Sequence, residues 1–250
     1  MSRSGLIAAA AASLAGVVLL TGLGIWQLKR LAWKETLIAQ VEARAHAAPV
    51  EAPPPSAWSQ LKPEDYEYRH VRISGVYDYT HQELIFRGLE TPRGQYGGVG
   101  YFVATPLWLA SGESVIVNRG FVPDTMKAEA DKGPRGEVTV TGLMRASERR
   151  NLFTPADDPA KGVFYTQDAE ALARAMGLAA HAPFVIEADA GPDPLPEGGE
   201  TRLSFPNNHL SYAFTWFGLA IALAGVFGTF AWGQVRANEA DKVMTPQSGS

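Results

Sequence analysis

Two clusters of aromatic, basic and imidazole side chains mark the ends of the chain's two long apolar runs. Within each cluster the residues recur three or four positions apart, as on one face of a helix. The members are Trp26, Arg30 and Trp33 in the first cluster, and His209, Tyr212 and Trp216 in the second. Gln27 and Lys34 lie beside the first cluster. If the runs cross a membrane, one run ends and the other begins at the same surface, so both clusters lie in one layer.

His209 has the chemistry of a haem-iron ligand. It stands at the start of the second apolar run, where the helix dipole favours the neutral imidazole. A neutral imidazole beside an apolar slot is what haem iron needs as an axial ligand, and Arg30 or Lys34 could then meet the propionates. Aromatic and basic residues also anchor helices at membrane interfaces. Interfacial anchoring is therefore the alternative interpretation of both clusters.

Two uncharged runs are long enough to span a membrane. Residues 6–26 would reach about 32 Å as a helix, against a hydrocarbon core of about 30 Å. This run is too long for a cleaved signal peptide, and no small-residue cleavage site follows it. Residues 210–232 form the second run. The predicted organisation is a tail at 1–5, a transmembrane helix at 6–28, a domain at 29–208, a second transmembrane helix at 209–232 and a tail at 233–250.

The two predicted spans place both termini on one side of the membrane. The segment between them holds more acidic than basic residues, which favours its translocation, and long translocated domains escape the positive-inside rule. We therefore expect a multi-pass protein of the bacterial inner (plasma) membrane with cytoplasmic tails and its large domain in the periplasm. Small residues four apart could let the two helices pack closely. They are Ala8, Ala12 and Gly16 in the first span and Ala220, Ala224 and Gly228 in the second.

The domain between the spans is predicted to be β-rich. A proline-rich linker at about 49–55 cannot continue the first helix. Branched and aromatic residues then recur in short segments with turn residues between them, and one helix is expected at 168–177. The segments are 69–77, 83–87, 99–109, 114–121, 137–145, 164–166 and 184–188. The fold class is therefore α+β, with two transmembrane helices bracketing a β-rich extracytoplasmic domain that resembles a small antiparallel barrel or a sandwich. Its inward-facing strand residues should include Val71, Ile73, Val115 and Val117.

Composition excludes several classes of chemistry. The chain has no cysteine, which removes disulfides, iron–sulfur clusters and thiolate metal sites. Its net charge of −4 lacks the overall basic character that is typical of nucleic-acid-binding proteins. The nucleophile elbow of hydrolases and the paired histidines of zinc proteases are both missing from the sequence. We therefore expect a protein that is not an enzyme; a membrane-tethered enzyme of the cell envelope would need a catalytic constellation in the β-rich domain.

Three segments of the chain carry distinctive motifs. The first, Gly-Ile-Trp-Gln-Leu-Lys-Arg-Leu-Ala-Trp-Lys at 24–34, ends the first span. The second, Val-Asn-Arg-Gly-Phe-Val-Pro at 117–123, lies in the middle of the domain, preceded by Thr-Pro-Leu at 105–107. The third, Pro-Asn-Asn-His-Leu-Ser-Tyr-Ala-Phe-Thr-Trp-Phe at 206–217, opens the second span. In sequence, order, spacing and two-span setting these segments resemble the signatures of the surfeit locus protein family, and the resemblance covers most of the chain.

The resemblance implies a bacterial assembly factor for cytochrome c oxidase of the haem–copper type. It implies that the chain binds haem a as cargo and aids its insertion into oxidase subunit I, with His209 as the iron ligand. The cofactor-binding set is then His209, Tyr212, Trp216, Trp26 and Arg30. Expected partners are subunit I, haem A synthase and membrane lipid, without nucleic acid. The alternative is a scaffold that stabilises subunit I during assembly and never touches haem.

Overall fold

The computed structural model describes residues 3–201, 203, 205 and 207–244. The chain divides into two compact units. One unit, Met1–Ala39 with Ser204–Ser250, contains the apolar helices, and the other, Gln40–Leu203, contains the β-rich segment. The expected two helices bracketing a β-rich domain are therefore confirmed.

Two long helices contain the predicted spans. Helix α1 is Arg3–Ala45 and helix α4 is His209–Met244. The shorter helices α2 (Pro63–Tyr66) and α3 (Ala169–Ala175) lie between them in the chain. By length and composition, Ser4–Ala45 and His209–Ala237 are candidate membrane spans. Helix α1 continues well past the predicted span, as the helical periodicity up to Arg44 indicates. The first two residues of the predicted N-terminal tail, and residues 245–250 of the C-terminal one, lie outside the described residues, and the span boundaries stay predictions.

Five strands close into a barrel. The eight strands of the domain are β1 (Val50–Glu51), β2 (His70–Tyr77), β3 (Glu83–Leu89), β4 (Gly98–Trp108), β5 (Ser114–Pro123), β6 (Glu137–Ala146), β7 (Val163–Phe164) and β8 (His181–Ala188). The hydrogen-bonded circuit runs β2–β6–β8–β5–β4 and returns to β2 through Val76 and Tyr77, which pair with Trp108 and Leu107. Strand β3 extends the sheet from β4. Of the two predicted architectures, the barrel is confirmed.

One barrel pairing differs from the expected antiparallel pattern. Strands β5 and β8 run parallel, with Val117 opposite Ile186. A parallel pair needs a long crossover connection, and residues 124–180 supply it. This connection carries strand β6, strand β7 and helix α3 (Ala169–Ala175). The predicted helix at 168–177 is thus confirmed, with the Asp168 carboxylate accepting the Glu170 amide as its cap.

The barrel interior is filled by alternating strand residues. Val71, Val115 and Val117 are fully buried and Ile73 is 8% exposed, so all four predicted core positions are confirmed. Phe184 lies among them, with Trp58 edge-on to its ring at 6.1 Å between centroids. Trp58 follows the proline-rich stretch, which is more ordered than the predicted linker. That stretch forms strand β1, paired with β2 in parallel, and then a 3₁₀ turn over Pro55–Gln60.

His70 joins the start of the domain to its last strand. Its Nδ1 lies 2.8 Å from the Ala47 carbonyl oxygen and its Nε2 lies 2.7 Å from a carboxylate oxygen of Asp189. Both partners are acceptors, so the geometry suits a doubly protonated ring. Burial lowers the pKa of His70, but the hydrogen bonds to Asp189 and Ala47 outweigh it and leave the pKa above its usual value.

Raising the pH should therefore weaken the domain through His70. A pKa raised by folding contributes stability that is complete below the unfolded value of about 6.5 and is lost as the pH rises through the folded value. The full-length protein in mild detergent should lose more melting temperature between about pH 6 and pH 9 than the His70→Gln variant does. Equal losses in both proteins would contradict the role of this ring.

Candidate functional site

The two apolar helices are joined by a hydrogen bond at the level of both sequence clusters. The Nδ1 atom of His209, the first residue of α4, lies 2.7 Å from Oε1 of Gln27 on α1. Gln27 is only 8% exposed, and His209 is half-buried. The structure thus places the predicted iron ligand against the amide of Gln27, which lies beside the first cluster in the sequence and is not one of the predicted site residues.

Close packing fixes the approach of the helices around this bond. A Cβ atom added to Gly24 would lie 2.6 Å from Cε1 of Phe217, and one added to Gly16 would lie 2.7 Å from Cδ2 of Leu223. Ala213 and Ala220 are almost fully buried. The small-residue packing predicted from spacing therefore uses different residues. Of the two predicted stripes, Gly16 and Ala220 belong to the contact, whereas Ala8, Ala12, Ala224 and Gly228 are exposed.

The other predicted site residues surround this contact with different exposures. Trp26 and Tyr212 are each more than half exposed, whereas Trp216 is half-buried. Arg30 is exposed, and its guanidinium stacks 4.0 Å from the ring centroid of Trp33 on the same helix. The structure therefore brings Gln27 against His209, and it leaves the indole of Trp26 and the cation of Arg30 on open helix surface, where a ligand or lipid could reach them.

Comparison with known proteins assigns the chain to a family. A sequence model of the SURF1 family matches residues 14–221, which include both helical clusters and the whole domain between them. The chain belongs to the SURF1 family. Surfeit locus protein 1 of Homo sapiens is 36% identical over 217 residues, covering 80% of this chain and 70% of that protein. The Xenopus tropicalis protein of the same name is 32% identical over 227 residues (84% and 70%), and a SURF1-like protein of Drosophila melanogaster is 35% identical over 221 residues (80% and 70%). Membership supports a role in cytochrome c oxidase assembly at the level of the family.

The central SURF1 motif at 117–123 is built into the barrel wall. Arg119 is 7% exposed, and burial lowers the pKa of its guanidinium. Its Nε donates to Oγ1 of Thr105 at 2.8 Å, its Nη1 to the Lys132 carbonyl at 2.6 Å and its Nη2 to Oε1 of Gln82 at 3.0 Å. The ring of Tyr79 lies against the same guanidinium, with 4.8 Å between the ring centroid and Cζ of Arg119. The hydrogen bonds of Arg119 therefore attach neighbouring loops to the barrel, which gives the motif a structural role in this SURF1 protein.

Asn118 of the same motif starts a second polar network. Its Nδ2 donates to Oε1 of Gln167 at 2.8 Å, and the Nε2 of Gln167 donates to Glu187 at 2.9 Å. Glu187 also pairs with Arg145 at 2.9 Å, and Arg145 donates to Glu67. Asn118 and Gln167 are buried and the other members are partly buried. Each member satisfies the next, which stabilises one arrangement of the strands. The sequence patterns indicate strand positions for these residues but not their partners.

A pocket lies at one side of the barrel and is formed by strands and loops of the β-rich domain. Its volume is about 310 Å³, and it is lined by charges of both signs, including Arg119, Lys132, Asp189 and Asp193. Within the part of the chain that the structure describes, no group of three or more histidine, aspartate and glutamate residues could hold a metal ion. His209 and Gln27 are not among the residues that line this pocket.

Proposed function

We propose that this chain is a membrane-anchored assembly factor that binds haem a as cargo and aids its insertion into subunit I of a haem–copper cytochrome c oxidase. The observation that carries the proposal is the pairing of the His209 imidazole with Gln27 between two apolar helices. Iron requires a neutral imidazole nitrogen, and the porphyrin requires apolar surface. The helix pair offers both at one place. The chain acts in this proposal as a carrier and not as an enzyme.

The residues around His209 suit haem a in distinct ways. Trp216 and Tyr212 follow on the same helix and offer aromatic surface to the macrocycle. Arg30 and the exposed face of Trp26 lie on the partner helix, where Arg30 is placed to pair with a propionate near water. A single histidine and screened cations hold the haem weakly. Weak holding suits a carrier, since the cargo must leave for its final site.

The proposed location is the bacterial inner membrane, with the β domain in the periplasm and both tails in the cytoplasm. The native chain has no cysteine, so single cysteines report topology without background. Ser111→Cys places a thiol on the exposed turn between β4 and β5, and Ser248→Cys places one in the C-terminal tail. An impermeant maleimide added to spheroplasts should label Ser111→Cys and should label Ser248→Cys only after lysis. The reverse pattern would contradict the proposed orientation.

Haem content of the oxidase tests the proposed function. In cells lacking the chain, subunit I should accumulate with less haem a per polypeptide, and the wild-type chain should restore it. Subunit I is quantified by immunoblot, and haem a by the spectrum of the extracted pigment. Full haem a occupancy of the remaining subunit I would contradict insertion of haem by this chain. It would favour the scaffold described next.

A scaffold for subunit I is the second candidate function. The observation that favours it is the loop between β6 and β7, which presents two large apolar side chains to solvent: Leu152 is 100% exposed and Phe153 is 93% exposed. The Phe153 amide donates to Oδ1 of Asn151 at 2.8 Å, so the tip is a defined turn. Exposed apolar side chains of this size suit contact with subunit I, haem A synthase or lipid. The scaffold predicts loss of subunit I itself in the absence of the chain, with unchanged haem in what remains.

A further inference from the structure

The side chain of Gln27 constrains the protonation of His209. An amide oxygen can accept a hydrogen bond but cannot donate one. Since Oε1 of Gln27 lies 2.7 Å from Nδ1 of His209, Nδ1 carries the proton and donates it to Gln27. The neutral ring then has its lone pair on Nε2. The bond therefore selects one of two tautomers and fixes the rotation of the ring at the same time.

Burying the side chain of Gln27 between the helices costs free energy unless its polar atoms form hydrogen bonds. It is 8% exposed within the helix pair, and a polar side chain at an apolar helix contact loses its hydration. Gly24, one turn earlier on α1, packs so closely against Phe217 that a Cβ atom there would lie 2.6 Å from the ring. That contact holds the backbones at the separation at which Gln27 reaches His209.

We propose that Gln27 is a positioning residue for haem a: it holds His209 in the Nδ1–H tautomer and in the orientation that directs Nε2 at the iron. This inference rests on the proposed function of haem a binding. In metal sites, a histidine ligand usually donates its other ring N–H to an acceptor, which orients the ring and makes it a stronger donor. Gln27 supplies that acceptor from the opposite helix.

Two substitutions of similar size separate this role from packing. Gln27→Met keeps the length of the side chain and removes the acceptor, whereas Gln27→Glu replaces the amide by a stronger acceptor. Gln40→Met, on an exposed position of the same helix, is the matched control. The measurements are the haem a dissociation constant of the full-length protein in mild detergent and the iron–histidine stretching frequency of the ferrous form by resonance Raman spectroscopy.

Gln27→Met should weaken haem a binding roughly tenfold and lower the iron–histidine frequency, whereas Gln27→Glu should raise the frequency. Gln40→Met should change neither quantity. A wild-type protein that binds haem a through His209, with the same affinity and frequency in both Gln27 variants, would overturn this inference and leave the proposed function standing. A wild-type protein that binds no haem a would overturn both.

Discussion

Replacing His209 by alanine should lower the affinity for haem a at least tenfold and shift or abolish the Soret band of the bound pigment. Removing the partner of a metal ligand already costs roughly 10–100-fold in affinity, so removing the ligand itself should cost no less. His209→Met should retain a weaker ligand with an altered potential. The residue begins a helix and is half-buried, so the amount of protein in the membrane should stay near normal.

Neighbouring substitutions provide the controls for His209→Ala. Asn208→Ala changes an exposed side chain next to it and should leave the spectrum unchanged. Arg30→Ala should weaken binding only mildly, because a propionate partner near water is screened and replaceable. The iron-ligand role fails if His209→Ala retains full haem a with the wild-type spectrum. The imidazole would then serve the contact with Gln27 alone, and the scaffold would be the better account of the chain.

Replacing Gly120 by alanine should destabilise the β domain by about 2–5 kcal/mol. Gly120 has a φ of +129°, a conformation that side chains disfavour, and an added Cβ would lie 2.2 Å from the carbonyl carbon and oxygen of Glu197. The backbone cannot easily retreat, since Phe121 and Glu197 exchange hydrogen bonds of 2.9 and 2.8 Å beside it. The full-length protein should unfold at lower denaturant concentration and accumulate poorly in cells.

Gly88→Ala is the matched control for Gly120→Ala. Gly88 also lies in a strand, but a Cβ added there would meet nothing within 4 Å. Its replacement should change the free energy of unfolding by no more than about 0.5 kcal/mol. Denaturant unfolding followed by tryptophan fluorescence compares the two variants directly. If Gly120→Ala were as stable as Gly88→Ala, the close approach of the barrel strand to residue 197 would be wrong.

The strands could be predicted from sequence because each has a local signature. Val71 and Ile73 alternate with polar residues in β2, and that alternation placed them correctly in the core. Barrel closure has no such signature, since it depends on the pairing of Val76 with Trp108. The parallel pairing of β5 with β8 likewise joins segments far apart in the chain. Strand β1 was not predicted, because its two residues are too few to show an alternating pattern and they lie next to prolines. Among the described residues, its only strand partner is β2.

The sequence predicted the two helix faces of the candidate site, but it did not predict the contact between His209 and Gln27. Helical spacing identified His209 and its aromatic neighbours, because side chains three or four apart share a face whatever the tertiary structure. Which residue of α1 meets His209 depends on how the two helices rotate against each other. That rotation is set by the packing of Gly24 on Phe217. A polar residue within the predicted membrane helix at 6–28 was the signal that the sequence offered for Gln27.

The pigment carried by the purified protein shows whether the chain binds haem a. The full-length chain is produced in cells that make haem a, extracted in mild detergent and purified, and its haem a is quantified per polypeptide against the His209→Ala variant prepared in parallel. We predict that the chain binds haem a through His209, so that haem a elutes with the wild-type protein and is lost or greatly reduced in the variant. A colourless wild-type protein, purified from membranes that contain haem a, would contradict it.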